Sequence, residues 1–258
     1  MAITLAFVAV AAFGPYFVPF PPYAIVGKSF LHPSWRHLLG TDDIGQDIFS
    51  QLIFSIRGSV GIGLFAGFIA AGVGSVVGLV AGYYGGWRDE LLMRMTDVVL
   101  IIPPLMILLV VASYFSPSPT NVIILIGLLS WPPTARIIRS QTLTLRGRSY
   151  VESSLMSGMR DREVIAKVII PSEVPLLILY GALAAVYAIV LEAGFDLVGV
   201  GSLNNFTIGT MLYFAYSNDA LLIGDWWWFV VPGLLIGLFG TGLLLLGYSV
   251  ERLNKLRS

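Results

Sequence analysis

Residues 152–171, ESSLMSGMRDREVIAKVIIP, decide how this chain is read. The stretch is amphipathic, carries Arg160, Arg162 and Lys167, and lies between apolar runs long enough to cross a bilayer. An α-helix rises about 1.5 Å per residue, so a hydrocarbon layer of about 30 Å needs about 20 mostly apolar residues. Working outward, the chain offers six such runs: 2–20, 59–83, 98–115, 121–138, 174–195 and 228–248. The chain is 57% hydrophobic and 12% charged, with a mean hydropathy of +0.85. A soluble domain of this length would be left with too little polar surface. The expected fold is therefore all-α, a single polytopic membrane domain over 1–258 with six transmembrane helices. The first run has no basic n-region and ends on Gly14-Pro15 rather than a small-residue cleavage site, so it reads as a helix and not as a leader.

Lysine and arginine near spans are retained on the cytoplasmic side. Six spans place Arg88, Arg94, Arg136, Arg139, Arg146, Arg148, Arg160, Arg162, Lys167, Arg252, Lys255 and Arg257 on one side, and only Lys28, Arg36 and Arg57 on the other. Both termini and the loops 85–96 and 139–172 are thus expected in the cytoplasm, with 21–58, 116–120 and 200–227 outside a plasma membrane. The net charge of zero conceals this asymmetry. With no cysteine, disulfides and thiolate metal sites are excluded.

In the outer segment 21–58, Thr41 followed by Asp42 and Asp43 has the look of a helix start, with Ile44, Ile48, Leu52 and Ile56 forming an apolar stripe on a short interfacial helix. Asp42, Asp43 and Asp47 lack the ligand alternation and closing glutamate of a calcium loop, and no metal site is expected. The second run carries glycines at small-xxx-small spacing, 63/67, 74/78 and 78/82, which read first as close helix packing within the chain. Pro103-Pro104 and Pro132-Pro133 break the ladder in the third and fourth runs and free carbonyls to bend the helix or line a cavity. Trp226, Trp227 and Trp228 read as an interfacial belt. Glu192 and Asp196 lie one helical turn apart near the outer end of the fifth run, where they could share a proton, meet a cationic substrate on a translocation pathway, or sit in interfacial water. Nothing resembles catalysis: His32 and His37 are isolated in sequence, no glycine loop ends in Lys-Ser/Thr, and no serine has a base. The chain is not expected to be an enzyme, nor to bind nucleic acid.

The loop over 139–172 resembles the EAA loop of ABC-importer permeases: Glu-Ala-Ala, three residues, Gly, nine residues, Ile, one residue, Leu-Pro. Glu152, Gly158 and Pro171 stand at matching positions, Val168 and Ile170 replace Ile and Leu, and Ser153-Ser154 replace the two alanines. A short helix ending at Gly158 and a second from about Asp161 toward Pro171 suit a unit seated in a cleft of a cytosolic ATPase. The likeness extends further. Residues 37–47, HLLGTDDIGQD, resemble the HPFGTDDLGRD stretch of the dipeptide, oligopeptide and nickel branch, with Gln46 in place of arginine. Residues 81–94, AGYYGGWRDELLMR, match that branch closely. Leu191-Glu192-Ala193 and Gly199-Val200-Gly201 resemble its LEASLSFLGLG segment, with Asp196 where serine is common, and Ile208 precedes Gly209 where tryptophan is frequent.

The resemblance implies a non-catalytic permease subunit of an ATP-driven importer, with a cytoplasmic coupling helix and ATPase contacts through Glu152, Ser153, Ser154, Gly158, Met159, Arg160 and Asp161. It implies as partners a second homologous permease, two cytosolic ATPase subunits or domains that carry ATP and Mg, an extracytoplasmic solute-binding protein, and the lipid bilayer. No cofactor is expected on this chain. Peptides lead as cargo, with oligosaccharides or nickel as alternatives. A proton-coupled carrier would rest on Glu192 and Asp196, and a non-transporting scaffold would leave the broken spans unexplained. The topology has a direct test in a chain without native thiols. Cysteines introduced at Ser118 and Ser202 are expected to react with an impermeant reagent from outside, and those at Ser149 and Ser258 only after permeabilisation. Outside labelling at Ser149 would overturn the orientation.

Overall fold

The computed structural model describes residues 2–114, 118–202 and 205–255. Part of the expected outer loop 116–120, and Arg257, lie outside them. In chain order the helices are α1 (Ala2–Phe13), followed by a 3-10 turn, α2 (Ile48–Tyr84), α3 (Gly86–Ile101), α4 (Pro104–Ala112), α5 (Pro119–Leu129), α6 (Pro132–Arg146), α7 (Ser149–Met156), α8 (Asp161–Val164), a π turn (Ile165–Ile169), α9 (Ile170–Leu197), α10 (Ile208–Ser217), α11 (Ala220–Ile223) and α12 (Trp227–Lys255). The all-α expectation holds. Every backbone N–H and C=O in hydrocarbon must be satisfied internally, and a helix does this within its own segment.

The six apolar runs resolve differently. Three continuous helices are long and apolar enough to span, Ile48–Tyr84, Asp161–Leu197 and Trp227–Val250. The third and fourth runs are bent pairs, α3 with α4 at 74° and α5 with α6 at 41°. The bends fall at the two proline pairs, and α4 and α6 each open on a proline, whose missing N–H costs nothing in a first turn. Counting each bent pair once gives up to five crossings. The first run is shorter than expected: α1 has 12 residues, about 18 Å at the helical rise, and ends where Gly14-Pro15 turn the chain. It packs on α2 and α12, with Phe7 against Phe239.

The outer segment also departs from expectation. Thr41 caps no helix; its hydroxyl donates to Lys28 O at 2.6 Å and accepts from Leu31 N at 2.9 Å. The cap is Asp47, which accepts from Ser50 N and Ser50 Oγ at 2.8 and 2.7 Å and faces His37 Nδ1 at 2.9 Å. Helix α2 starts at Ile48 and runs into the span without a separate interfacial helix, so Ile48, Leu52 and Ile56 are buried core and Ile44 is exposed outside it. Asp42 holds the preceding turn, accepting from Ile44 N, Gln46 N and Gln51 Nε2. Burial pushes its carboxyl up while those bonds pull it down. His37 is thus buried and partnered, and His32 lies 3.3 Å from Asp225. Of the tryptophan belt only Trp226 is half-exposed. Trp228 is buried in the core and Trp227 Nε1 donates to Leu39 O at 2.9 Å.

Helix α2 is the centre of the molecule, touching α1, α3, α5, α6, α9 and α10. Its glycines make this possible. A methyl on Gly74, Gly78 or Gly82 would stand 2.6–2.7 Å from α6 backbone oxygens at Trp131, Ala135 or Arg139. One on Gly67 would stand 2.7 Å from Ala185 N of α9. The stripe is packing within the chain, along two faces of one helix. By contrast, nothing lies within 4 Å of a methyl on Gly61 or Gly72. Gly78→Ala is therefore expected to destabilise the fold by about 1–3 kcal/mol through overpacking, whereas Gly72→Ala leaves it unchanged or slightly more stable. Thermal unfolding of the two variants in detergent checks the contrast, and equal midpoints would refute it.

Candidate functional site

The connection between α6 and α9, expected in the cytoplasm, is built on the C-terminal ends of α2 and α6. Helix α7 presents Val151 inward, fully buried with Val164, Ile169, Leu145 and Tyr83. Its other face is open: Glu152, Ser153, Leu155 and Met156 are exposed, Met156 at 87%. Glu152 sits in the first turn, where a carboxylate suits the helix dipole. The two serines at the alanine positions are accommodated as follows. Ser154 Oγ donates to Tyr150 O at 2.8 Å, and Ser153 offers its carbonyl to Ser157 Oγ at 2.8 Å, so neither serine disrupts α7.

Gly158 ends α7 with φ +85°. Its N–H bonds Leu155 O at 3.0 Å and Met159 N bonds Ser154 O at 3.3 Å, the paired bonds of a Schellman cap. The glycine expected from spacing alone is the left-handed residue that turns the chain. After Met159, Arg160 precedes α8; Glu163 Oε2 accepts from Arg160 N at 3.1 Å and closes that helix start. Asp161 then opens a helix that does not stop at Pro171 but continues, through the π turn, into α9. Pro171 has no N–H for the carbonyl four residues back and its ring crowds that carbonyl. The π turn widens the backbone there, with Ile170 N bonding Ile165 O.

Sequence reasoning missed the residue that anchors this unit. Tyr83, at the end of α2, is buried and donates its hydroxyl to Asp161 Oδ1 at 3.0 Å, while Arg146 lies over its ring. Only the tight Tyr-Tyr-Gly-Gly end of the run signalled it. The α3 helix is bound to α6 by Arg139 with both Asp89 oxygens and by Arg136 with Asp97 at 2.6 Å. Glu173, fully buried at the start of α9, accepts from Thr142 Oγ1 at 2.7 Å. It too passed unnoticed, since it lies at the edge of an apolar run.

Glu192 and Asp196 are brought together but are not in interfacial water: they are 1% and 3% exposed. Ser59 Oγ of α2 reaches Glu192 Oε2 at 3.3 Å and itself accepts from Ile208 N at 2.9 Å. Thr207 Oγ1, the cap of α10, donates to Asp196 Oδ2 at 2.6 Å. The pair thereby pins the outer ends of α2, α9 and α10 to one another. Gly201 belongs to the same knot, for a methyl there would collide with Asp196 Oδ1. Among the described residues no group of three or more His, Cys, Asp or Glu side chains is placed to hold a metal ion.

Residues 74–255 match the family model described as binding-protein-dependent transport system inner membrane component. The chain is 30% identical over 200 residues to the glutathione transport system permease protein GsiD of Pectobacterium atrosepticum, covering 77% of this chain and 66% of that one. It is 31% identical to the dipeptide transport system permease protein DppC of Alkalihalophilus pseudofirmus, over 78% of this chain and 67% of that. It is 32% identical to the oligopeptide transport system permease protein OppC of Mycobacterium bovis, over 66% and 59%. The matches thus span about two thirds or less of these relatives' lengths. In fold it resembles a chain of the MetNI methionine ABC transporter in an inward-facing conformation, with a TM-score of 0.62 and 17% identity over 79% of this chain and 97% of that one. Fold, glycine-turned loop and family match converge: the chain belongs to the binding-protein-dependent transport system inner membrane components, and is a non-catalytic, multi-pass protein of the inner membrane.

Proposed function

We propose that this chain is one of two related permease subunits of an ATP-driven importer, that it takes up peptides, and that the 139–172 loop couples it to a cytosolic ATPase. In this reading both chain ends lie on the ATPase side, an extracytoplasmic binding protein delivers the cargo, and ATP and Mg stay on the partner subunits. The observation that carries it is the form of the loop. Exposed Glu152, Ser153, Met156 and Arg160 present a surface to a partner, while the Tyr83–Asp161 bond ties the same loop to α2. A push on α7 therefore has two rigid outlets, α9 through the continuous helix from Asp161 and α2 through Tyr83. Peptides are favoured over oligosaccharides or nickel because the named relatives are glutathione, dipeptide and oligopeptide permeases.

The coupling role is tested at Gly158. No atom of this chain beyond its neighbours lies within 4 Å of a methyl placed there, so within the chain a substitution acts through the backbone. Forcing valine into that left-handed conformation costs about 1–2 kcal/mol. Gly158→Val is expected to assemble yet lose most solute uptake per ATP hydrolysed, with Gly158→Asn, which tolerates the conformation better, close to the native ratio. Measurement in vesicles decides, and native uptake and hydrolysis in Gly158→Val would sink the assignment.

The energy source is tested at the buried acids. Glu192→Gln together with Asp196→Asn keeps acceptors for Ser59 and Thr207. Uptake is expected to need ATP in both native and doubly substituted importers, and a pH gradient alone is expected to drive none. Gradient-driven accumulation that vanishes in the variant would establish a proton-coupled carrier instead.

A further inference from the structure

Helix α3 leaves the end of α2 through Gly85, and its sides differ in kind. Trp87, Leu91, Met95 and Val98 recur every three or four residues and are 49–71% exposed, an apolar stripe that the described residues leave uncovered. Another side is bound to α6 by Arg139 with Asp89 and by Arg136 with Asp97. At the head of the stripe stand two further arginines. Arg88 lies over the rings of Tyr84 and Trp87, 4.8 and 5.9 Å from their centroids, and Arg146, at the end of α6, lies 5.7 Å from the centroid of Tyr83. The two tyrosine rings meet edge to face at 5.2 Å, so ring contacts run unbroken from one guanidinium to the other. Both arginines are exposed, and neither has a carboxylate partner among the described residues. The acids of this corner are engaged elsewhere: Asp89 by Arg139, Glu90 by Arg94 and Asp161 by the Tyr83 hydroxyl. Stacking on a ring restrains a guanidinium without neutralising it, and its N–H fork stays free for an oxyanion.

We propose that this corner binds an anionic phospholipid, with its headgroup phosphate drawn to Arg88 and Arg146 and an acyl chain along the α3 stripe. The choice of partner follows from two complementarities found together. Cations beside an exposed tryptophan match the headgroup layer, where indole rings and basic side chains gather. The stripe below them belongs to a bent helix pair apolar enough to span, and so matches acyl chains. An acidic protein surface would satisfy the arginines and leave the stripe bare; an apolar helix of a second permease would cover the stripe and leave both charges unpaired. The inference is independent of the cargo.

The test uses the importer assembled with its partner subunits and solubilised in detergent, with bound lipid counted by native mass spectrometry. The probes are phosphatidylglycerol and phosphatidylethanolamine of identical acyl chains; the second carries the same phosphate with an ammonium that cancels its charge. Phosphatidylglycerol should be retained in preference. Each cation near the surface contributes about fivefold, so Arg88→Gln with Arg146→Gln should lower that preference about 25-fold. Arg88→Lys with Arg146→Lys keeps the charge and should keep the preference, which separates a lost cation from disturbed tyrosine packing. Inorganic phosphate at matched ionic strength, and glycerophosphoglycerol, which is the headgroup without its chains, should not displace the lipid. Equal retention of the two lipids, a preference unaltered by the glutamine pair, or an equal fall in the lysine pair would each overturn the site. Displacement by either soluble phosphate would overturn the lipid as its occupant and assign the arginines to a free phosphate.

Discussion

The architecture depends on the closeness with which α2 approaches α6 on one face and α9 on another. In lipid there is no hydrophobic gain in setting one apolar helix against another, so association needs dense packing and polar contacts. Side chains on α2 at Gly67, Gly74, Gly78 and Gly82 would hold the neighbouring backbones away and forfeit that packing. With the gap closed, polar contacts fall into place toward both ends of the rod: Ser59 with Glu192 at one, Tyr83 with Asp161 at the other. The same helix is anchored by Asp47 and His37 before it enters the bilayer. Loop, spans and outer segment are all referred to one axis.

Much of this was legible in the chain. The α7–α8 unit could be read because its signals are local: a glycine at a fixed distance from a glutamate, a proline, and a changing apolar period. The packing role of the α2 glycines could also be read, since their spacing matches helical neighbours. What could not be read depended on partners far away in sequence. Thr41 and Asp47 are equally plausible caps by residue type; only the bonds they make with Lys28, Leu31 and His37 choose between them. Trp228 has the composition of an interfacial residue and is buried because α10 and the outer segment cover it. The lengths of the third and fourth apolar runs are right for spans, but length is blind to a bend, and each proline pair makes two helices of one run.

Glu192 and Asp196 show the same limit from the other direction. Their spacing gave a face and a turn, and left open whether water, cargo or protein met them. Protein partners for them, Ser59 and Thr207, arrive from α2 and from the start of α10. Acidic groups in a span are usually assigned to the path of a solute. Here the hydrogen bonds of Glu192 Oε2 and Asp196 Oδ2 run to Ser59 and Thr207 of the scaffold.

The π turn at Ile165–Ile169 sets the angular phase between the loop and the span. Each residue in a helix advances the azimuth by about 100° and the axis by about 1.5 Å. The wider turn accommodates one more residue than a regular helix would between Asp161, fixed by Tyr83, and Glu173, fixed by Thr142. Loss of one residue within 165–169 would let the segment close as a regular helix with the side chains beyond it still near their present azimuth. The wide turn is thus the form in which a segment one residue too long for a regular helix still brings both of its ends to their partners.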